Sequence, residues 1–373
     1  MDDLITHDPL GIAAVAEALE GYARDHKTFQ TDRTMTVPYA VYTDEARWHR
    51  EMELIFRRVP LMLALSCELP ERRSYKALDA AGKPVLITRD QTGKVRAFLN
   101  VCAHRGSPLA EEGCGKAARL TCPYHGWTFG LDGKLIGVSD AALFGEFDRS
   151  SRNLRELPCV ERAGMIFGAL TPDAPFDVDA YYGRLLSDFE ALDLANWTFL
   201  GSRVIEGANW KITFDGYLEG YHFATLHPKT IFPRTLSNVM HYEAFGPHLR
   251  IAFPHTDIVA KLGNVPRESW GEQENNGFDF VRMLFPNAAV FLAPEIAQIA
   301  QIFPGPTPDR NRTVLTYVRR DPLKDEAERA ACEEMITFFR DVTYGEDYVL
   351  GMKIQKGIES GAFDSIVFGK NER

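Results

Sequence analysis

Apolar residues recur at helical spacing in two stretches before residue 60. Ile12, Val15, Leu19 and Tyr22 predict an amphipathic helix over 8–29. Trp48, Met52, Ile55 and Phe56 predict a second over 44–57, with Thr43 or Asp44 as its cap. Between about 60 and 170 the period changes. Short β-type runs at 61–65, 85–89, 95–100, 119–122 and 165–170 are punctuated by turns such as Asp79-Ala-Ala-Gly82, Asp90-Gln-Thr-Gly93 and Asp132-Gly133. That texture predicts a small antiparallel β domain.

Thr171-Pro-Asp-Ala-Pro175 reads as a linker. Beyond it the pattern predicts a helix at 178–192, a strand at 198–206 and a helix from about 210 to 224. Strands follow at 249–253, 278–285, 288–293, 297–303 and 313–319, then helices at 324–342 and 346–360. Strands wrapped around long terminal helices imply an α+β domain with a cavity between sheet and helix. There is no internal repeat and no low-complexity segment.

Composition narrows the function classes. With 45% hydrophobic and 25% charged residues the balance is that of a globular protein. A net charge of −10 argues against a general binder of nucleic acid or anionic membranes. The longest apolar runs, such as 59–65, are too short to span a bilayer. The acidic start Met1-Asp-Asp-Leu carries no signal pattern, so the expected location is the cytoplasm. Six cysteines in 373 residues do not make a disulfide scaffold. Cys67, Cys114, Cys159 and Cys332 read as unreactive thiols. Cys102 and Cys122 differ, because each has a histidine close behind it.

The sequence carries Cys102-Ala-His104-Arg-Gly and then Cys122-Pro-Tyr-His125-Gly-Trp, with seventeen residues between His104 and Cys122. Two Cys-plus-His pairs on separate loops can hold a [2Fe–2S] cluster, with thiolates on one iron and imidazoles on the other. The competing reading is structural zinc, which also takes Cys2His2. Zinc fingers, however, usually group two cysteines together and two histidines together on a helix.

A second constellation reads Asp215-Gly-Tyr-Leu-Glu219-Gly-Tyr-His222-Phe-Ala-Thr-Leu-His227-Pro. On one continuous helix Asp215, Glu219 and His222 would fall within about 60° of each other. His227 would lie about 140° from His222, so both reach one metal only if the helix bends or ends there. Pro228 favours that break. Two such histidines and one carboxylate make the facial triad of non-heme Fe(II) oxygenases. Glu333, Glu334, Asp341, Glu346, Asp347 and Asp364 are downstream carboxylate candidates, the first three reading as a solvated helix face.

The first motif resembles the Rieske signature, including Arg105-Gly106 and Gly126-Trp127, and the Asn209-Trp-Lys211 to His227-Pro228 segment resembles the iron motif of Rieske non-heme iron oxygenase α subunits, the aromatic-ring-hydroxylating dioxygenase family. The resemblance runs from about Met35 to Gly361. It implies N-terminal helices (1–57), a Rieske [2Fe–2S] domain (58–172) and a helix-grip, Bet v 1-like catalytic domain (173–373). It implies Cys102, His104, Cys122 and His125 on the cluster, and His222, His227 and Asp347 on a mononuclear Fe(II). Family members carry the ligand aspartate eight or nine residues before a glutamine, as Asp347 stands before Gln355; Glu346 is the alternative. Glu219 takes the place of the acid that bridges the two metal centres across a subunit boundary, and Asp215 stands behind it.

The chain lacks a nucleotide-binding glycine pattern and a Cys-x4-Cys-x2-Cys ferredoxin pattern. The resemblance therefore implies a separate NAD(P)H-dependent reductase, with or without a ferredoxin, and a homotrimer of α subunits alone. The expected reaction uses O2 to hydroxylate, dihydroxylate or dealkylate an apolar small molecule. The expected wall comprises the strands over 278–303 with Phe214, Tyr217, Leu218, Phe232, Ile251 and Phe253; an inward Arg250, Arg282, His241, His248 or His255 would hold a carboxylate. With Glu295 as the wall's one acid, this favours an aromatic or cyclic substrate. A quaternary ammonium compound is the alternative, with precedent in relatives carrying glutamate at the bridge. A non-enzymatic Rieske electron carrier is a further one.

Overall fold

The computed structural model describes residues 11–271, 277–293 and 296–372. The chain forms two compact units, His49–Phe199 and Met1–Trp48 together with Leu200–Arg373. These limits compare with the expected segment limits at 57/58 and 172/173. Among the described residues no helix is long and apolar enough to cross a membrane.

The His49–Phe199 unit is built from antiparallel sheets. Five strands run in the order Glu156–Leu157, Val95–Leu99, Lys83–Arg89, Ser74–Ala80 and Gly113–Lys116. Leu61–Leu65 is buried at every position, as its unbroken apolar run requires, and lies at the edge of a three-stranded sheet beside Met165–Gly168. A smaller sheet joins Leu120–Thr121, Thr128–Phe129 and Leu135–Gly137. Leu86, Phe98, Trp127 and Phe129 gather with Cys102 and Cys122 in one apolar cluster, which seats both Cys-His loops on a rigid base. The helix expected at 178–192 breaks at Gly183, whose φ of 51° is left-handed.

In the other unit seven antiparallel strands form one sheet, in the order Thr198–Gly207, Asn311–Arg319, Ala297–Pro304, Ala288–Leu292, Phe278–Leu284, His248–Pro254, His241–Phe245. One face takes the amphipathic helix Ile12–Asp25, whose Ile12, Val15 and Leu19 pack on Ala252, Phe278 and Phe280. Alternation along the strands puts Asp279 and Val281 on the opposite face, against the terminal helix.

Two expectations about helices need correction. The two terminal helices are one: Glu326–Arg340 passes through a π-helical stretch, Asp341–Tyr348, into Val349–Glu359 with right-handed helical backbone at both junctions. The segment expected as a helix over 210–224 ends at Gly216, and a single further turn spans Phe223–Leu226. Gly216 and Gly220 weaken a helix here by about 1 kcal/mol each. Tertiary partners take over: Gly220 N–H meets Met240 Sδ at 3.3 Å, and Asn238 N–H donates to Gly220 O at 2.8 Å. Asp215, Glu219 and His222 therefore do not share one helix face.

Candidate metal centres and active site

The two Cys-His loops repeat one hydrogen-bond pattern. Gly106 N–H donates to Cys102 O at 2.9 Å and Cys102 N–H to Ser107 O at 2.8 Å; Gly126 N–H donates to Cys122 O at 3.0 Å and Cys122 N–H to Trp127 O at 2.8 Å. Both turns need a left-handed residue, and Gly106 (φ 83°) and Gly126 (φ 69°) supply it. Each loop thus presents a cysteine and a histidine from a closed turn.

His104 and His125 come together with ring centroids 4.7 Å apart, and His104 stacks on Trp127 at 4.8 Å. The Nδ1 atom of each is buried without a hydrogen-bond partner. A buried imidazole nitrogen left this way is costly unless something binds it. Burial raises the Cys102 thiol, while at Cys122 the Tyr124 and His125 N–H groups outweigh burial and favour the thiolate. Two sulfurs and two orphaned ring nitrogens fit a [2Fe–2S] cluster.

At the second constellation His222, His227 and Asp347 each offer one ligand atom, and these atoms lie within 4.8 Å of one another. Asp347 Oδ1 is 2.9 Å from His227 Nε2 and 3.6 Å from His222 Nε2. The other nitrogen of each ring is held by a carboxylate. His222 Nδ1 contacts Glu219 Oε1; His227 Nδ1 donates to Glu346 Oε2 at 2.5 Å, and Thr230 Oγ1 donates to the same oxygen at 2.7 Å. Such anchors fix ring and tautomer and leave Nε2 for a metal. His227 Nε2 is buried with no aligned hydrogen bond. Burial works against charge on His227, but Asp347 and Glu346 outweigh it and raise its pKa. The donor set of two imidazoles and a carboxylate suits Fe(II).

The break after Gly216 sends Asp215 elsewhere. Its Oδ2 accepts from the Tyr42 hydroxyl at 3.0 Å, and it lines a cavity of about 330 Å³ with Trp210, Phe214 and Leu218. Burial pushes its carboxyl up to about 6, against the pull of Tyr42 and Lys211. Glu219 lines this cavity and also the one beside the triad.

The triad opens on a cavity of about 220 Å³ between the sheet and the terminal helix. Tyr217, Phe223, Phe253, Phe291, Phe338 and Phe339 supply rings; Arg234, Asp279 and Gln298 supply polar groups. Phe214 and Leu218, expected here, line the neighbouring cavity instead. Arg250 and Arg282 pack over Phe280, on the sheet face that takes the N-terminal helix, and His241 lies against Tyr22 and Phe29. His248 alternates with Leu249 onto that same face. His255 alone of the expected cationic residues reaches the wall, from behind, through Asp279. Glu295 lies outside the described residues.

Known proteins match both halves of this arrangement. Residues 59–147 match the Rieske [2Fe-2S] domain, and residues 194–373 match the ring hydroxylating alpha subunit (catalytic domain). The chain belongs to the Rieske oxygenase α subunits. The glycine betaine monooxygenase oxygenase subunit of Pseudomonas aeruginosa is 33% identical over 225 residues, 60% of this chain and 50% of that protein. The carnitine monooxygenase oxygenase subunit of Escherichia coli is 28% identical over 335 residues, 88% and 85% of the two chains. This α subunit thus spans about half the length of the glycine betaine relatives it matches, and most of the carnitine one. A solved quaternary ammonium Rieske monooxygenase shares its fold, with a TM-score of 0.77, 22% identity and coverage of 94% and 91%.

Sequence reasoning alone leaves three contributors to this α subunit's sites unread. Glu346 holds His227, where it stood only as a substitute for Asp347. Tyr42, far away in sequence, holds Asp215. Asp279 lines the cavity from within the strands expected to form its wall, and its alternation with Phe278 and Phe280 is the available signal.

Proposed function

We propose that this chain is the terminal oxygenase component of a monooxygenase for a small quaternary ammonium compound. The observation that carries the iron chemistry is the His227 ring, pinned at Nδ1 by Glu346 with its buried Nε2 turned to Asp347 and His222. His222, His227 and Asp347 would hold the iron; Cys102, His104, Cys122 and His125 would hold the cluster. Bound there, Fe(II) supplies the reductive activation of O2. Electrons come from a separate NAD(P)H-dependent reductase, directly or through a ferredoxin, and Glu219 relays between centres in a homotrimer.

The substrate class rests on the cavity and the relatives together. Six aromatic side chains line the cavity, a composition suited to a cation, and the wall holds a carboxylate, Asp279. Glutamate rather than aspartate at the bridge points the same way. In the reaction a C–H bond beside the cationic nitrogen is oxidised: C–H, O2, two electrons and two protons give C–OH and water. Loss of a proton from that hydroxyl breaks the C–N bond and leaves a tertiary amine and a carbonyl compound.

The test combines iron assay with substrate-stimulated O2 uptake in the presence of a reductase. The panel holds aromatic acids, neutral arenes and trimethylammonium compounds. Stimulation by the trimethylammonium members supports the reading. Stimulation by arenes alone restores the cyclic-substrate expectation, and a chain with cluster iron only makes it an electron carrier.

A further inference from the structure

The cavity wall carries two buried acceptors that the protein leaves unused. Asp279 Oδ1 and Gln298 Oε1 have no hydrogen-bond partner among the described residues. Leaving an acceptor buried and unpaired costs about 1–3 kcal/mol, more when it is charged. A wall with spare acceptors is complementary to a cation or a hydrogen-bond donor.

Asp279 is the stronger of the two because its other oxygen is fixed. His255 Nε2 donates to Oδ2 at 2.8 Å and Arg234 Nη2 at 3.3 Å, while Lys261 Nζ donates to His255 Nδ1 at 3.5 Å. The backbone holds both partners: Thr256 N–H donates to Arg234 O at 2.8 Å, and Thr235 bridges His255. Oδ1 is left buried and without a partner, in a side chain that lines the cavity.

Aromatic rings connect this carboxylate to the triad. Phe253 is the register partner of Asp279 on the neighbouring strand, so both project from one face. Phe253 lies 5.3 Å from Phe223, and Phe223 lies 5.0 Å from His222. A cation placed beside Asp279 in the cavity would have Phe253 and Phe223 on the side towards His222. The Asp279 side chain is 8% exposed and that of Arg234 54%. The carboxylate is therefore the inner pole of the ion pair and the guanidinium the outer one, with donors to spare.

We propose that the Asp279–Arg234 pair is the specificity-determining element of the cavity, and that it selects a zwitterion. The cationic head lies inward on Asp279, Phe253 and Phe223; the carboxylate tail lies outward on Arg234. The substrate's dipole thus opposes that of the ion pair. His255 is a positioning residue that fixes the Asp279 carboxylate through its Oδ2. This rests on the quaternary ammonium reading and adds to it a required second charge and the residues that read each end.

The test uses the reconstituted holoenzyme with its reductase and three probes: glycine betaine, its isostere with an uncharged head, 3,3-dimethylbutanoate, and choline, which lacks the carboxylate. The wild type should prefer glycine betaine over each of the others by about tenfold or more in kcat/KM. Asp279→Asn should raise KM for glycine betaine about tenfold and bring its preference over the isostere close to unity, with iron content and cluster absorbance retained. Arg234→Gln, at a half-exposed site, should raise KM for glycine betaine while leaving that for choline in place. Wild-type discrimination in Asp279→Asn, or equal effects of Arg234→Gln on both cations, overturns the inference alone. Absence of any stimulation by the ammonium probes in the wild type overturns the reading and the inference together.

Discussion

Glu346 and His227 are joined by a hydrogen bond of 2.5 Å, and Asp347, next in the chain, lies 2.9 Å from the opposite nitrogen of the same ring. Two neighbouring acids thus flank one imidazole, Glu346 bonded to Nδ1 and Asp347 beside Nε2. Glu346→Gln keeps the length and removes the charge, so the ring loses its preferred tautomer. Fe(II) affinity should fall about 10–100-fold, with the cluster spectrum unaltered. Titration of chelated protein with Fe(II) measures it, and an unchanged affinity would remove the anchoring role.

Asp347→Ala should act more severely on the same metal. Two imidazoles alone make a weak, bidentate site. Iron should drop from about three atoms per chain to about two, with cluster sulfide retained and product formation lost. Full iron content would pass the ligand role to another carboxylate.

Glu219→Gln tests a different step. Glu219 contacts His222 and lines both cavities, so its charge is placed to couple that ring to whatever lies beyond. Both metals should remain bound while cluster oxidation in a single turnover slows by at least about tenfold. Stopped-flow absorbance with substrate and O2 present reads the rate; wild-type kinetics would end the relay assignment.

Asp215 predicts a pH dependence of stability rather than of chemistry. Its folded pKa of about 6 lies above the ordinary 3.8. Between these values the unfolded chain has released its proton and the folded chain has not. Stability from this group is full below about pH 4 and declines as pH rises through about 6, by on the order of 2–3 kcal/mol. Asp215→Asn removes that decline. Thermal unfolding at about pH 4 and pH 7 should show the variant gaining on the wild type at the higher pH. Parallel shifts at both values would contradict the assignment.

What could be read in the sequence depended on how local each feature is. Cys102, His104, Cys122 and His125 sit in two short loops, and the chain order itself shows the pairing. His222 and His227 are also local, but their meeting required the helix to stop. The sequence reading put the break at Pro228; glycines and tertiary hydrogen bonds put it at Gly216. Asp215 and Glu219 consequently do not share one helix face, although both line the cavity of about 330 Å³. Asp347 was legible only through resemblance, since more than a hundred residues separate it from the histidines. Asp279 was missed although strand alternation sets it opposite in direction to Phe278 and Phe280. The arginines expected inward fall on the other face by the same rule.

The π-helical stretch at Asp341–Tyr348 changes the phase of the terminal helix. A π turn takes in more residues than the usual 3.6, so everything after it is rotated against the pattern before it. Phe338 and Phe339 belong to one phase, Gln355 and Ile358 to the other. Any residue-by-residue alignment with a regular helix must slip somewhere inside the stretch. Where the slip falls decides which of two adjacent acids meets the histidines. With the preceding helix held in place, deletion of Gly345 would carry Asp347 into the position of Glu346 and Tyr348 into that of Asp347, so the histidines would lose their carboxylate ligand although helix continued on both sides.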